Sequence, residues 1–310
     1  MRAHGRDIIE IFGYAPDDYS DESAKWWTTE ECPFVGGLCT KRSHENIVYG
    51  VCSLSAGVSN GEVIVCPKRL YAENYKVLRE VVKHAWPHSY VPLFFCNDNL
   101  SNRLNEIDRY AVAYGQGETS ELSTNLGDNR LSMDWVIQSY VRQGNRFIPD
   151  TFVGVEIQSI DITGNYKGCW ATYKKNRLKS NRDRCEAVPS SMHGLNWANV
   201  HKRLIPQIIR KGNVYRLMER CIGFYFILPS AVYNRFDALL VNLDNVSNSA
   251  NDVLTVMTYS LGAKVEHGMI RSLVSDSVKN YRLQDFIQAF SSSGDYFSAA
   301  KELNERLLRL

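Results

Sequence analysis

Leu131-Ser132-Met133-Asp134-Trp135-Val136-Ile137-Gln138-Ser139-Tyr140-Val141 is β-branched and aromatic in character, and so is Phe152-Val153-Gly154-Val155-Glu156-Ile157-Gln158-Ser159-Ile160. Both read as strands. Arg142-Gln143-Gly144-Asn145-Arg146 supplies turn residues between them, which predicts neighbouring strands in a central sheet. That pairing organises the polar residues. Glu156 and Gln158 stand at i and i+2, so a strand puts both on one face, roughly 6 to 7 Å apart. A turn near Gly144 brings Asp134 across to face Glu156. Asp150, in Pro149-Asp150, precedes Glu156 by six positions. On an extended strand that is roughly 20 Å, too far to share a metal unless the chain bends sharply at Phe152. Asp134 is the preferred partner of Glu156, with Asp150 as the alternative.

Working outward, residues 223–228 and 254–259 read as further strands, 91–95 as a buried strand and 109–114 as another short element. Apolar positions at Tyr71, Tyr75, Leu78, Val82 and Ala85 recur with a helical period. Trp197, Val200, Leu204, Ile205 and Ile208 share one side of a segment that Pro206 must kink or divide. The tail predicts a helix with Leu303, Leu307 and Leu308 on one face. The expected fold class is α/β, in two parts. Residues 1–70 form a turn-rich module with little core of its own, and residues 71–310 hold the sheet.

With 310 residues, 44% hydrophobic and 23% charged, the composition fits a folded chain rather than a disordered one. No run of about 18 apolar residues exists and the start lacks the apolar core of a signal peptide, so a membrane span is not expected and the cytoplasm is the expected compartment. Eight cysteines are too sparse for a small secreted disulfide scaffold. Cys32, Cys39, Cys52 and Cys66 cluster in one short segment, with Cys32-Pro33 and Cys66-Pro67 at turns. Four thiolates complete a tetrahedral shell suited to zinc or iron, and a closed shell of that kind is structural. The spacing lacks the tight two-residue knuckles of a zinc ribbon, so four separate thiols is the alternative.

Overall net charge is +2, yet residues 167–220 hold 13 Lys and Arg against three acids. Such a stretch suits phosphate contact or a solvated face, and Lys202, Arg203, Arg210 and Lys211 are its candidate DNA contacts. The acids suggest the chemistry. Phosphodiester hydrolysis uses a divalent metal to polarise phosphate and activate water, and magnesium takes carboxylate oxygens. Asp134 and Glu156 are the candidate ligands, and either one alone would read as a structural acid.

Cys32-Pro33-Phe34, Gly50-Val51-Cys52-Ser53, Val65-Cys66-Pro67-Lys68-Arg69-Leu70, Ser132-Met133-Asp134-Trp135, the run from Gly154 through Tyr166 and Gly194-Leu195-Asn196-Trp197-Ala198-Asn199-Val200-His201-Lys202-Arg203 occur in this order. Together they resemble the NotI and EagI family of Type II restriction endonucleases, over residues 7–228. The resemblance implies a PD-(D/E)XK nuclease core, with a central mixed sheet flanked by helices, and iron in the four-cysteine site. It also implies a homodimer that cuts double-stranded DNA at a GC-rich palindrome, CGGCCG or a sequence containing it, leaving 5′ overhangs. A cognate methyltransferase would protect the host genome. By matching position, Asp134 and Glu156 would hold the catalytic magnesium and Gln158 would stand where the wider superfamily has lysine. Glutamine exchanges no proton near neutral pH, so it orients rather than acts as a base. Glu121 is a candidate extra acid near the metal, and Asp161 reads as a turn or structural acid. The competing classes are a non-catalytic, metal-stabilised DNA-binding protein and a small redox protein.

Overall fold

The computed structural model describes residues 7–303 apart from 44, 57–60, 97, 99–106, 116–121, 180–185, 241–242, 248–251, 293–300 and 302. Three short strands, β1 (Ile8–Ile11), β2 (Val51–Ser55) and β3 (Glu62–Ile64), pair antiparallel in that order. Next come β4 (Leu93–Phe95) and β5 (Arg109–Gly115), then a two-stranded ribbon of β6 (Ser123–Leu126) and β7 (Asn129–Ser132). The hairpin of β8 (Trp135–Gln143) and β9 (Arg146–Ile157) turns at Gly144-Asn145, where Gly144 takes the positive φ of 59° that a two-residue turn needs. β10 (Ile162–Thr163) and β11 (Gly194–Leu195) form a second ribbon, followed by β12 (Cys221–Pro229), β13 (Val253–Leu261) and β14 (Leu273–Arg282).

The chain is a mixed α/β protein built on a seven-stranded sheet in the order β14-β13-β12-β9-β8-β5-β4. β9, β12 and β13 run parallel, whereas β8 with β9, β5 with β8 and β13 with β14 are antiparallel. Strand periodicity explains how it is buried. On β12, Phe224, Phe226 and Leu228 belong to one apolar cluster while Tyr225 and Ile227 belong to another on the opposite face. The first face is covered by the helix Ile205–Tyr215, through Ile205, Ile208 and Tyr215. The second is covered by the helix Ala72–Ala85, through Val77, Leu78, Val81 and Val82.

Several expectations are refined. The single strand read over residues 131–141 is divided at Met133 and Asp134, because Leu131 pairs with Thr124 in the ribbon while Trp135 pairs with Val155 in the sheet. Pro206 lies inside a continuous helical run from Trp197 to Tyr215, and its missing N–H falls just after a wide π-helical turn over Val200–Leu204. The carboxy-terminal part completes the sheet with β13 and β14, of which only β13 was anticipated. Leu307 and Leu308 of the expected tail helix lie outside the described residues.

Residues 7–70 pack on the same core as the sheet. Ile8, Ile11, Phe12, Val51 and Leu54 join the apolar cluster that contains Trp170, Val200 and Phe226. A buried ion pair reinforces the contact: Arg69 donates from Nε and Nη2 to the Glu10 carboxylate and from Nη2 to the Arg271 carbonyl, 2.6 Å away. Among the described residues no helix is long and apolar enough to cross a membrane.

Candidate active site

Because Trp135 pairs with Val155, Asp134 stands opposite Glu156 where β8 begins and β9 ends. Two hydrogen bonds lock the juxtaposition. The Asp134 backbone N–H donates to Glu156 Oε1 at 3.1 Å, and the Ile157 N–H donates to Asp134 Oδ2 at 3.0 Å. Each acid therefore keeps an oxygen that these two bonds do not use.

Glu156 is fully buried, on the sheet face covered by the helix Ile205–Tyr215. Gly154 and Tyr215 set how close that helix comes: a methyl group at Gly154 would lie 2.2 Å from Tyr215 Cζ. One turn earlier on the helix, the buried Lys211 ammonium donates to Glu156 Oε2 and lies 3.8 Å from Asp134 Oδ1. Burial pushes the Glu156 carboxyl up to about 8, repulsion from Asp134 adds to the shift, and Lys211 opposes it. A buried carboxylate this reluctant to ionise is a group that a cation would stabilise.

Asp134 lines a cleft of about 640 Å³, and Glu156 is buried beside it. Gln158 lines it beside Asp134, and its backbone N–H is anchored to the Ile227 carbonyl at 3.0 Å. Lys41, Lys68, Arg130 and Arg203 also line the cleft and, with Lys211, outnumber its acids Asp134 and Asp161. Asp161 accepts from Asn199 Nδ2 at 2.8 Å and lies 3.8 Å from Arg203, tying the second ribbon to the segment that leads into the helix.

The sequence-predicted residues separate accordingly. Asp134, Glu156 and Gln158 gather at one end of β9. Asp150 lies within β9 and pairs with Arg109 at 3.1 Å, so the bend that would carry it to Glu156 does not occur. Glu121 lies outside the described residues. Of the candidate DNA contacts, Arg203 lines the cleft, Lys202 and Arg210 are exposed but do not line it, and Lys211 is buried against the acids. Lys41 and Lys68 were missed as cleft residues. Each follows a cysteine by two positions, in Cys39-Thr40-Lys41 and Cys66-Pro67-Lys68, but no local spacing marks either as a cleft residue, because the cleft joins segments distant in sequence.

Cys32, Cys39, Cys52 and Cys66 are all buried free thiols. Burial raises the thiols of Cys39, Cys52 and Cys66, and charge repulsion within the group adds to it: Cys32 acts on Cys39, Cys66 on Cys52, and Cys32 and Cys39 on Cys66. Among the described residues no three or more His, Cys, Asp or Glu side chains stand in a metal-binding array, so the expected four-cysteine shell is not displayed. The donor set itself, four buried soft thiols, fits a thiophilic cation by ligand type. Comparison with protein-family models and with curated proteins gives no match.

Proposed function

We propose that this chain is a magnesium-dependent Type II restriction endonuclease of the PD-(D/E)XK kind, with Asp134 and Glu156 as the carboxylates that hold the metal. The observation carrying this reading is the Asp134–Glu156 pair, hydrogen-bonded through its own backbone, with Asp134 lining a cleft that Lys41, Lys68, Arg130 and Arg203 also line. A polyanion matches those cations, and paired acids beside it match phosphodiester hydrolysis.

Magnesium, when bound, polarises the phosphate and lowers the pKa of the attacking water. The chain's own residues do the remainder. Asp134 and Glu156 fix the cation's position, while the lining cations orient the backbone of the duplex. Gln158, neutral at all relevant pH, orients water or phosphate oxygen through its amide. The water oxygen bonds to phosphorus and gives up a proton to solvent as the bond to O3′ breaks, the departing oxygen takes a proton from solvent in its place, and the phosphate remains on the 5′ end. A buried four-cysteine iron or zinc centre would brace residues 32–66, which carry Lys41 to the cleft beside Lys68. A homodimer would present one such site to each strand of a palindrome, CGGCCG or a sequence containing it, with a methyltransferase protecting the host.

The test is a duplex containing CGGCCG, mixed with the protein in chelator and then supplied with magnesium. Retention of the duplex in chelator and cutting on magnesium addition support the proposal. Retention without cutting assigns the chain to DNA binding alone.

A further inference from the structure

Lys211 is not placed as a surface cation would be. It is 5% exposed, its ammonium contacts Glu156 Oε2 and lies 3.8 Å from Asp134 Oδ1, and it also borders the cleft. Burying an ammonium between two acids is an expensive way to stabilise a fold, since apolar residues of similar volume often do as well or better. Position in the cleft gives it another use. From these contacts we infer that Lys211 is a catalytic cation: its ammonium occupies the carboxylate pair while the divalent metal is away, and yields that place when the metal binds, turning to the scissile phosphate.

Charge balance supports the assignment. Two carboxylates and one divalent cation leave the site neutral, and Gln158 adds nothing. The phosphodiester arrives with one negative charge and gains a second as water adds. Lys211 leaves the metal-loaded site with one positive charge, aimed where negative charge develops and held in a buried pocket where such a charge acts most strongly. The ammonium serves as a fixed cation and transfers no proton in this scheme.

Its carrier is built for placement. Gly154 lets the Tyr215 ring approach β9 closely, and Lys211 lies one helical turn before Tyr215 on the helix Ile205–Tyr215. Because Glu156 lies two residues beyond Gly154 on the same sheet face, the lysine meets the acid across this tight contact.

This inference rests on the proposed nuclease reading, so the experiment separates the two. Manganese binding to wild type and Lys211→Met is measured by titration, and single-turnover cleavage of a CGGCCG duplex is measured on the same preparations. The expected result is tighter manganese binding by Lys211→Met, because a competing cation is gone, together with cleavage slower by about a hundredfold or more. Unchanged cleavage, or manganese binding that is unchanged or weaker, overturns the inference. Wild type that binds manganese yet leaves DNA intact removes the nuclease reading, and the catalytic role of Lys211 with it. Should Lys211→Met fail to fold, wild type labelled with 15N at lysine Nζ carries the test. The slowly exchanging ammonium signal of a buried lysine should shift or vanish on magnesium addition, and a signal that magnesium leaves unmoved overturns the inference.

Discussion

Gly154→Ala tests how the site is held together. The added Cβ would lie 2.2, 2.4 and 2.6 Å from Cζ, Cε2 and Cε1 of Tyr215, inside the 3.0 Å that real Cβ atoms essentially never breach. Tyr215 is 1% exposed and packs on Phe224 with ring centroids 5.0 Å apart, so the ring has no vacant space to enter. Relief requires the helix Ile205–Tyr215 to move away from β9 by about 1 Å or more, the gap between those distances and ordinary van der Waals separation. Overpacking of this kind costs about 1–3 kcal/mol, and a 1 Å displacement of catalytic groups costs about a hundredfold in rate. Urea unfolding and single-turnover cleavage should therefore both report loss. Tyr215→Leu, introduced into Gly154→Ala, should recover part of the stability, because the obstructing ring is gone. A Gly154→Ala protein equal to wild type in stability and rate would refute the reasoning that close approach of this helix builds the site.

Glu156 gives a pH prediction. Its carboxyl rises from 4.5 to about 8 on folding, so between those values the native state keeps a proton that the unfolded chain has released. Stability in chelator should fall as pH rises through that window and level off above it, and magnesium at the upper end should restore it. The same pH slope in Glu156→Gln would show that another group is responsible. If the proposed function holds, replacing Lys41, Lys68 or Arg203 by Ala should weaken DNA binding in calcium, and removing any one of these cleft charges should reduce the salt-dependence slope by about one. No change in that slope would remove these side chains from the DNA surface. Cys52→Ser should lower the metal content of the purified protein and its midpoint in urea, with cleavage by the folded fraction affected less. A protein without the metal but of unchanged stability would contradict a structural centre.

The adjacency of Asp134 and Glu156 was legible because it depends on strand periodicity and one turn. Gly144 closes the hairpin, and the alternation of the two strands then fixes which residues face one another. The place of Lys211 was not legible. It lies 55 residues beyond Glu156 and reaches it through the packing of a helix on a sheet, which no local spacing encodes. Its neighbours in sequence, Arg210 and the basic stretch around it, made it look like one more surface cation. β14 escaped for a related reason: Leu273–Arg282 exposes much of its length as the edge of the sheet, so Asp276, Lys279 and Asn280 obscure the strand pattern. The helix after Tyr71 was expected from its period, but Glu73, Asn74 and Tyr75 take left-handed backbone angles, with φ between 55 and 57°, that periodicity does not anticipate.

The most direct measurement is to digest a large, sequenced GC-rich DNA with wild type, Asp134→Asn and Glu156→Ala, each with magnesium and with chelator, and to sequence the ends produced. Cuts at one palindrome containing CGGCCG, carrying 5′-phosphates and arising only from wild type with magnesium, are the predicted result. Well-folded wild type that leaves this DNA intact, or variants that cut as wild type does, would contradict the assignment of Asp134 and Glu156 as the carboxylates of a nuclease.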